Sequence, residues 1–293
     1  MSTRKWIIAA VAVLLGLCVL LAVVAVPRTP AAQTADVAIL MYHAFTENEA
    51  ETSSLCTLAS EFARQLSALR DAGYTSVGYA DLIEFVNGKG ELPEKPLLIS
   101  IDDGYQNNLD LAAPLLEKYG FCANIAVIGV SIGRTTYKDT DIPITPHFSL
   151  EDARPWIERG VLTVTTHSYD MHQVTAVDGA GCRRGVLQMR GEAEPDYIAA
   201  LTQDYTRAQE QLAGLPGTPL PVFTYPNGAY SELSERVLQD LGVQVTVTTE
   251  GGANRLVKGE PETLRLLHRI HVWRGTKPDM LLSRIDAALQ ALR

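Results

Sequence analysis

Hydrophobic and polar positions along the chain follow two regimes. Ile7 to Val26 is an unbroken apolar run of 20 residues without a charge. At about 1.5 Å per residue, a helix of that length spans about 30 Å, the thickness of a bilayer's hydrocarbon core. A secretory signal peptide shares the basic start but has an apolar core of only about 7–15 residues. The run therefore predicts one uncleaved transmembrane helix at 7–26 behind a short tail, 1–6. Arg4 and Lys5 on the short side predict a cytoplasmic N-terminus, so that a single-pass protein would hold its main portion on the extracytoplasmic side of the cell membrane. The Pro-, Ala- and Thr-rich stretch that follows, 27–36, reads as a tether, and 37–293 as the folded domain.

In that second regime apolar runs of strand length alternate with segments of helical period, the pattern of α/β folds. Val37–Met41, Leu97–Ile101, Ala123–Val130, Val161–Thr166, Val222–Tyr225, Val243–Val247 and Leu266–Val272 read as seven short strands. Ser60 is the expected N-cap of a helix through Phe62, Leu66 and Leu69 that ends at Gly73. A second helix runs through Leu109, Leu115 and Leu116 to Gly120. A third, Glu194–Ala213, places Ile198, Leu201, Ala208 and Leu212 near one face. With no Gly-rich phosphate fingerprint, the alternation favours a distorted (β/α) barrel over a dinucleotide-binding sheet.

Charge narrows the partners. The chain carries 34 acidic and 25 basic side chains, a net of −9, which becomes −11 once Arg4 and Lys5 are set aside. Phosphate affinity needs clustered Lys and Arg, so a nucleic-acid partner is excluded. No protein partner is evident. Beyond the apolar run three cysteines remain, Cys56, Cys122 and Cys182, an odd number without the spacing of a disulfide framework or a structural zinc site.

Three strand ends concentrate chemistry. The first strand runs into Met41-Tyr42-His43. The second ends in Asp102-Asp103-Gly104-Tyr105, two adjacent carboxylates after an apolar run. The fourth is followed by His167-Ser168-Tyr169-Asp170-Met171-His172, two imidazoles five residues apart. Adjacent like charges are costly unless a cation compensates, and one Asp with two His makes a divalent-metal triad with open positions. His147, after Thr145-Pro146, reads as an ordinary loop residue.

Taken together, these segments resemble the motifs of the polysaccharide deacetylases, the NodB-homology group also called carbohydrate esterase family 4. Within it they are similar to the branch of poly-N-acetylglucosamine deacetylases and membrane-anchored bacterial relatives. The similarity extends from about residue 37 to about residue 275. It implies a distorted barrel of about seven strands, with Asp102 as general base and Asp103, His167 and His172 as ligands of a divalent metal, usually zinc, with cobalt and nickel as alternatives. It further implies an oxyanion contact from the backbone of Asn227 in Thr224-Tyr225-Pro226-Asn227-Gly228, with Pro226 and Tyr105 lining the substrate site. His43 is the expected acid for the departing amine; His268 and His271, in the last strand, are the alternatives.

Three departures accompany the resemblance. Thr224 stands where the family often has an Arg that orients the catalytic Asp. Thr248–Asn254 lacks the usual Trp, and two histidines compete for the last motif. The expected function is metal-dependent removal of N-acetyl groups from a cell-envelope or extracellular glycan, peptidoglycan or poly-N-acetylglucosamine in type. The alternative is a catalytically silent, membrane-anchored glycan-binding module that retains the fold. Substrate discrimination is expected in the loops Thr46–Thr57 and Gln173–Pro195.

Overall fold

The computed structural model describes residues 33–217 and 219–293. The expected span at 7–26, the tail before it and the first part of the tether lie outside them. Among the described residues no helix is long and apolar enough to cross a membrane. The chain divides into Met1–Gln33 and Thr34–Arg293, and the second unit is the one described below.

Its first strand, β1 (Thr34–Tyr42), begins inside the stretch read as tether. The reason is a partner that strand patterning does not reveal: Thr34, Ala35 and Asp36 pair antiparallel with Val257, Leu256 and Arg255. The Asp36 carboxylate accepts from Arg255 Nε at 2.7 Å and Nη2 at 2.9 Å. Besides three short strands, Ala44–Thr46, Cys56–Leu58 and Thr75–Ser76, the strands that follow are β2 (Pro96–Asp103), β3 (Ala123–Val127), β4 (Leu162–Thr166), β5 (Val222–Thr224), β6 (Val245–Val247), β7 (Ala253–Val257) and β8 (Ile270–His271). The main path runs β7-β1-β2-β3-β4-β5-β6, seven strands among the described residues, all parallel except β7.

Helices cross between the parallel strands, as right-handed β-α-β connections require. They are α1 (Ala59–Asp71), α2 (Tyr79–Val86), α3 (Ala113–Tyr119), α4 (Leu150–Glu158), α5 (Glu194–Leu212), α6 (Glu232–Asp240) and, after the last strand, α7 (Pro278–Gln290). α1 begins one residue before its expected cap, on Leu58 with no side-chain cap, so Ser60 sits within its first turn. In α5 the buried face is Tyr197, Leu201, Asp204, Tyr205, Ala208 and Leu212, while Ile198 faces solvent. Cys56, Cys122 and Cys182 are free and half-buried.

Two edges of the sheet meet only at one end. Segment 267–271 inserts between β6 and β1: Leu267 bridges Val247, while Ile270 and His271 pair parallel with Leu40 and Met41. β7 occupies the other half of the same β1 edge, so the last strand read at Leu266–Val272 shortens to β8. The result is a half-barrel drawn together at the C-terminal ends of its strands. Alternation along each strand separates two layers. Ala38, Leu40, Tyr42, Leu97, Ile99 and Ile101 pack outward on Phe62, Leu66 and Leu69 of α1. Val37, Ile39, Leu98, Val222, Val245 and Leu267 form the interior with Tyr79, Leu82 and Phe85 of α2. Toward the C-terminal ends that interior turns polar, with Ser100, Asp102, Asn124 and Thr165 all buried.

Gly104 turns the chain out of β2 at φ +84°, and a Cβ there would lie 2.8 Å from Val127 Cγ1. Both the backbone region and the contact exclude a side chain. Gly104→Ala is expected to lower stability by about 1–3 kcal/mol, read as a shift of the urea midpoint at unchanged m-value; a midpoint equal to wild type would remove this constraint from the fold.

Candidate active site

β1, β2 and β4 deliver the chemistry of the three strand ends to one place. Period-two alternation puts His43, Asp102 and His167 on the interior parity of their strands and Asp103 on the other. The left-handed backbone of Asp103, φ 74°, turns it inward again. Ser168 has φ 76°, and its Oγ accepts from Met171 N at 3.1 Å. Non-glycine residues in this region are costly and persist where the surroundings over-determine them.

The outcome is a cluster of Asp103, His167 and His172 whose donor atoms all lie within 4.8 Å of one another. Asp103 Oδ1 is 3.7 Å from Nε2 of each histidine, too long for a hydrogen bond, and is buried without a hydrogen-bond partner. Ligand atoms about 2.0–2.2 Å from a tetrahedral ion are separated by about 3.4 Å. An orphaned buried carboxylate oxygen flanked at that spacing by two imidazoles fits a divalent cation, and these three residues could hold one. His167 Nδ1 donates to the Thr224 carbonyl at 2.8 Å, which fixes the tautomer and leaves Nε2 for the cluster. Burial pushes the His167 imidazole down to about 4, the neutral form that ligation requires.

His172 depends on a helix the motif does not contain. Asp204 of α5 accepts from the backbone N–H of Tyr169 at 2.8 Å and of Asp170 at 2.7 Å, pinning the loop that carries the second imidazole. Burial pushes the Asp204 carboxyl up to about 6. Its place on the apolar face of α5 was the signal that could have marked it.

Asp102 is buried and held by Arg269, whose Nη1 donates to Asp102 Oδ1 at 2.7 Å and to Ser100 Oγ at 3.0 Å, while Nε donates to the Thr248 carbonyl at 2.7 Å. Burial opposes ionisation, yet Arg269, His167 and His43 together hold the carboxyl well below the usual carboxylate range. Arg269 is itself fully buried. It does from the 267–271 segment what an arginine at position 224 would do, and a lone charge between the apolar residues of Leu266–Val272 was its sequence signal.

Nε2 of His43 faces Asp102 Oδ2 across 3.8 Å, and its backbone carbonyl accepts from Asn108 Nδ2 at 2.8 Å. His271 stands beside it, ring centroids 6.0 Å apart, with Nε2 at 2.9 Å from the Ser54 carbonyl. Burial, then the neighbouring His43, lowers the His271 pKa. His268 is turned away, 42% exposed and 3.5 Å from Glu250 Oε2. Tyr105 is half-buried with its hydroxyl toward the Asp103 carboxylate. Pro226 is buried and Asn227 exposed, at φ 56°, in the turn Pro226–Gly228 that follows β5. His147 is no loose loop residue: it is buried, 4.9 Å from the Tyr105 ring. The site thus combines a carboxylate whose ionised form a guanidinium favours, three donors that could hold a cation and a half-buried imidazole.

The model of the polysaccharide deacetylase family matches residues 89–246. YxkH of Bacillus subtilis (strain 168), named for the same family, is 26% identical over 259 residues, 88% of this chain and 78% of that protein. The poly-beta-1,6-N-acetyl-D-glucosamine N-deacetylase of Escherichia coli (strain K12) is 22% identical over 226 residues, 73% of this chain but 34% of that enzyme. Among solved structures, a de-N-acetylase from Aggregatibacter actinomycetemcomitans superposes with a TM-score of 0.73 at 18% identity, over 85% of this chain and 100% of that one, a likeness of fold.

Arg269→Met is expected to cost about 3–5 kcal/mol at neutral pH, the penalty for stranding a buried charge. The folded pKa of Asp102 lies below its unfolded value, so the pair's contribution is present above the ordinary carboxylate range and is lost as pH falls below it. The gap between variant and wild type should therefore narrow as pH is lowered, measured by urea titration; a pH-independent gap would show that the loss comes from packing alone.

Proposed function

The chain belongs to the polysaccharide deacetylase family, and on that premise we propose that it removes N-acetyl groups from a cell-envelope or extracellular glycan of the peptidoglycan or poly-N-acetylglucosamine type. The observation that carries this reading is the juxtaposition of the Asp103, His167 and His172 donors with the Asp102 carboxylate that Arg269 keeps ionised. Similarity to an enzyme named for poly-N-acetylglucosamine supports the substrate class. Asp103, His167 and His172 would hold a divalent metal, zinc by the chemistry of the donor set. When bound, such an ion supplies Lewis acidity, polarising the amide carbonyl and lowering the pKa of water.

The remaining steps belong to the chain's own residues. Asp102 takes the proton of the attacking water at Oδ2, because Oδ1 is engaged by Arg269. Its low proton affinity keeps it available as a base from mildly acidic pH upward. His43, protonated at Nε2, gives that proton to the departing sugar amine and faces the same carboxylate oxygen from which it can be recharged. The backbone N–H of Asn227 serves the developing oxyanion, and Tyr105 and Pro226 border the acetamide. The 20-residue apolar run of 7–26 supports anchoring in the cell membrane, with the catalytic unit on the extracytoplasmic side. A silent binding module loses its main support, since Arg269 supplies the guanidinium that position 224 lacks.

Acetate release from N-acetylglucosamine oligomers and peptidoglycan fragments tests the reading, and stoichiometric metal without acetate on any of them would sink it. Asp102→Asn should retain metal while kcat falls at least about 10²-fold. His172→Ala should lose metal affinity by about 10-fold or more, measured by zinc titration, with the urea midpoint little changed. Among His43→Ala, His271→Ala and His268→Ala, only the first should abolish turnover with metal retained; the same result from either of the others would transfer the acid role to it.

A further inference from the structure

The two imidazoles of the triad are held in different ways. His167 has a ring hydrogen bond of its own, from Nδ1 to the Thr224 carbonyl at 2.8 Å. The His172 ring makes no hydrogen bond among the described residues: its Nε2 stands 3.7 Å from Asp103 Oδ1, and its centroid 5.1 Å from that of His167. A metal-ligating histidine ordinarily donates its second ring N–H to a partner that fixes the ring. His172 therefore takes its position from its backbone, and whatever holds residues 168–171 decides where its Nε2 comes to lie.

Some of that hold comes from neighbouring backbone. The Ser168 and Tyr169 carbonyls accept from Gly129 N at 3.0 Å and Val130 N at 2.9 Å, and Met171 N donates to Ser168 Oγ at 3.1 Å. The N–H groups of Tyr169 and Asp170 have a different kind of partner, the two oxygens of Asp204, one each, at 2.8 and 2.7 Å. Asp204 is 7% exposed and lies in the interior of α5. A carboxylate there disfavours the helix and is costly to desolvate, and a break in a local rule points to a demand made elsewhere in the structure. One turn further on, Arg207 lays its guanidinium 4.0 Å over the Tyr169 ring and donates to the Tyr169 hydroxyl at 3.0 Å. α5 thus grips Tyr169 by its ring as well as by its backbone.

We propose that Asp204 is the positioning residue of the metal site: by fixing the N–H groups of Tyr169 and Asp170, it sets His172 at the distance from Asp103 and His167 that a divalent cation needs. Asp204 is not one of the clustered donors and acts through the backbone. The two N–H groups lie between the imidazoles in the chain, so a displacement there moves one imidazole against the other. Because Thr224 holds His167 independently, the one displaced is His172. A ligand that must first be brought into place lowers affinity by the cost of ordering it, and Asp204 removes that cost before an ion arrives. The inference rests on the metal-binding part of the reading above and adds the residue on which the affinity of that site depends.

The test measures zinc affinity by calorimetry against a competing chelator, with the urea midpoint of the zinc-free protein alongside, for wild type, Asp204→Asn, Asp204→Ala, His172→Ala and the double variant Asp204→Asn/His172→Ala. Asp204→Asn keeps one acceptor and turns an NH2 group toward the other N–H, and should raise the zinc Kd about tenfold. Asp204→Ala strands both N–H groups and should raise it more, up to about 100-fold. In the His172→Ala background Asp204→Asn should change the Kd by less than about twofold, because the carboxylate acts through that imidazole. A Kd equal to wild type in Asp204→Asn, whatever its urea midpoint, would overturn the proposal and leave Asp204 a residue of the fold alone. So would a loss of the same size with and without His172. Should Asp204→Ala fail to fold, Asp204→Asn and its double variant decide by themselves. Absence of zinc binding by wild type would instead fail the triad, and with it the reading on which this inference rests.

Discussion

The buried pair of Asp102 and Arg269 ties the two halves of this molecule's logic together. It joins β2 to the segment that closes the half-barrel, over a separation of 167 residues, at 2.7 Å and without access to solvent. Desolvating two charges costs several kcal/mol each, and their attraction repays this only when the geometry is good and the remaining donors are satisfied. Here Ser100 Oγ and the Thr248 carbonyl take further guanidinium hydrogens, while the buried Nη2 has no hydrogen-bond partner. Segment 267–271 therefore has a specific reason to insert between β6 and β1 beyond the burial of Leu267 and Ile270.

From that pair the electrostatics of the site follow. A carboxylate held ionised inside a low-dielectric interior acts strongly on its surroundings, and His43 is placed opposite its free oxygen. The neighbouring triad runs on the opposite principle. Burial keeps His167 neutral, its tautomer is set by a backbone carbonyl of β5, and the oxygen of Asp103 is left without a hydrogen bond. Two adjacent aspartates thus occupy unlike environments, one paired with a guanidinium and the other set between two imidazoles without a hydrogen bond at Oδ1. Their separation depends on the left-handed turn through Asp103 and Gly104, which points consecutive side chains to different partners within one cluster.

The strand ends bearing Met41-Tyr42-His43, Asp102-Asp103 and His167 were legible because β-strands in such a fold are apolar and polar residues at their ends stand out. The helices were legible where their apolar stripes were long, as in α5. What escaped has a common cause. Strand β7 offers Asn254 and Arg255 among its five residues, so it lacks the apolar signature of a buried strand, and only its antiparallel partner on β1 makes it one. Arg269 and Asp204 read as ordinary charges until β2 and the His172 loop are placed against them. His147 read as a loop residue because burial by distant segments leaves no mark on its own neighbours.

By itself, then, the sequence determined which residues could do chemistry and the family they belong to, since the spacing of donors along a strand end and the loop after it is a local property. It also fixed the apolar run at 7–26 as a membrane-length segment. The tertiary structure decided which charge neutralises Asp102, which histidine faces it, and which buried groups remain without partners. Those are properties of distance and dielectric, set by contacts between residues as far apart in the chain as Asp102 and Arg269, 167 positions, and no local pattern carries them.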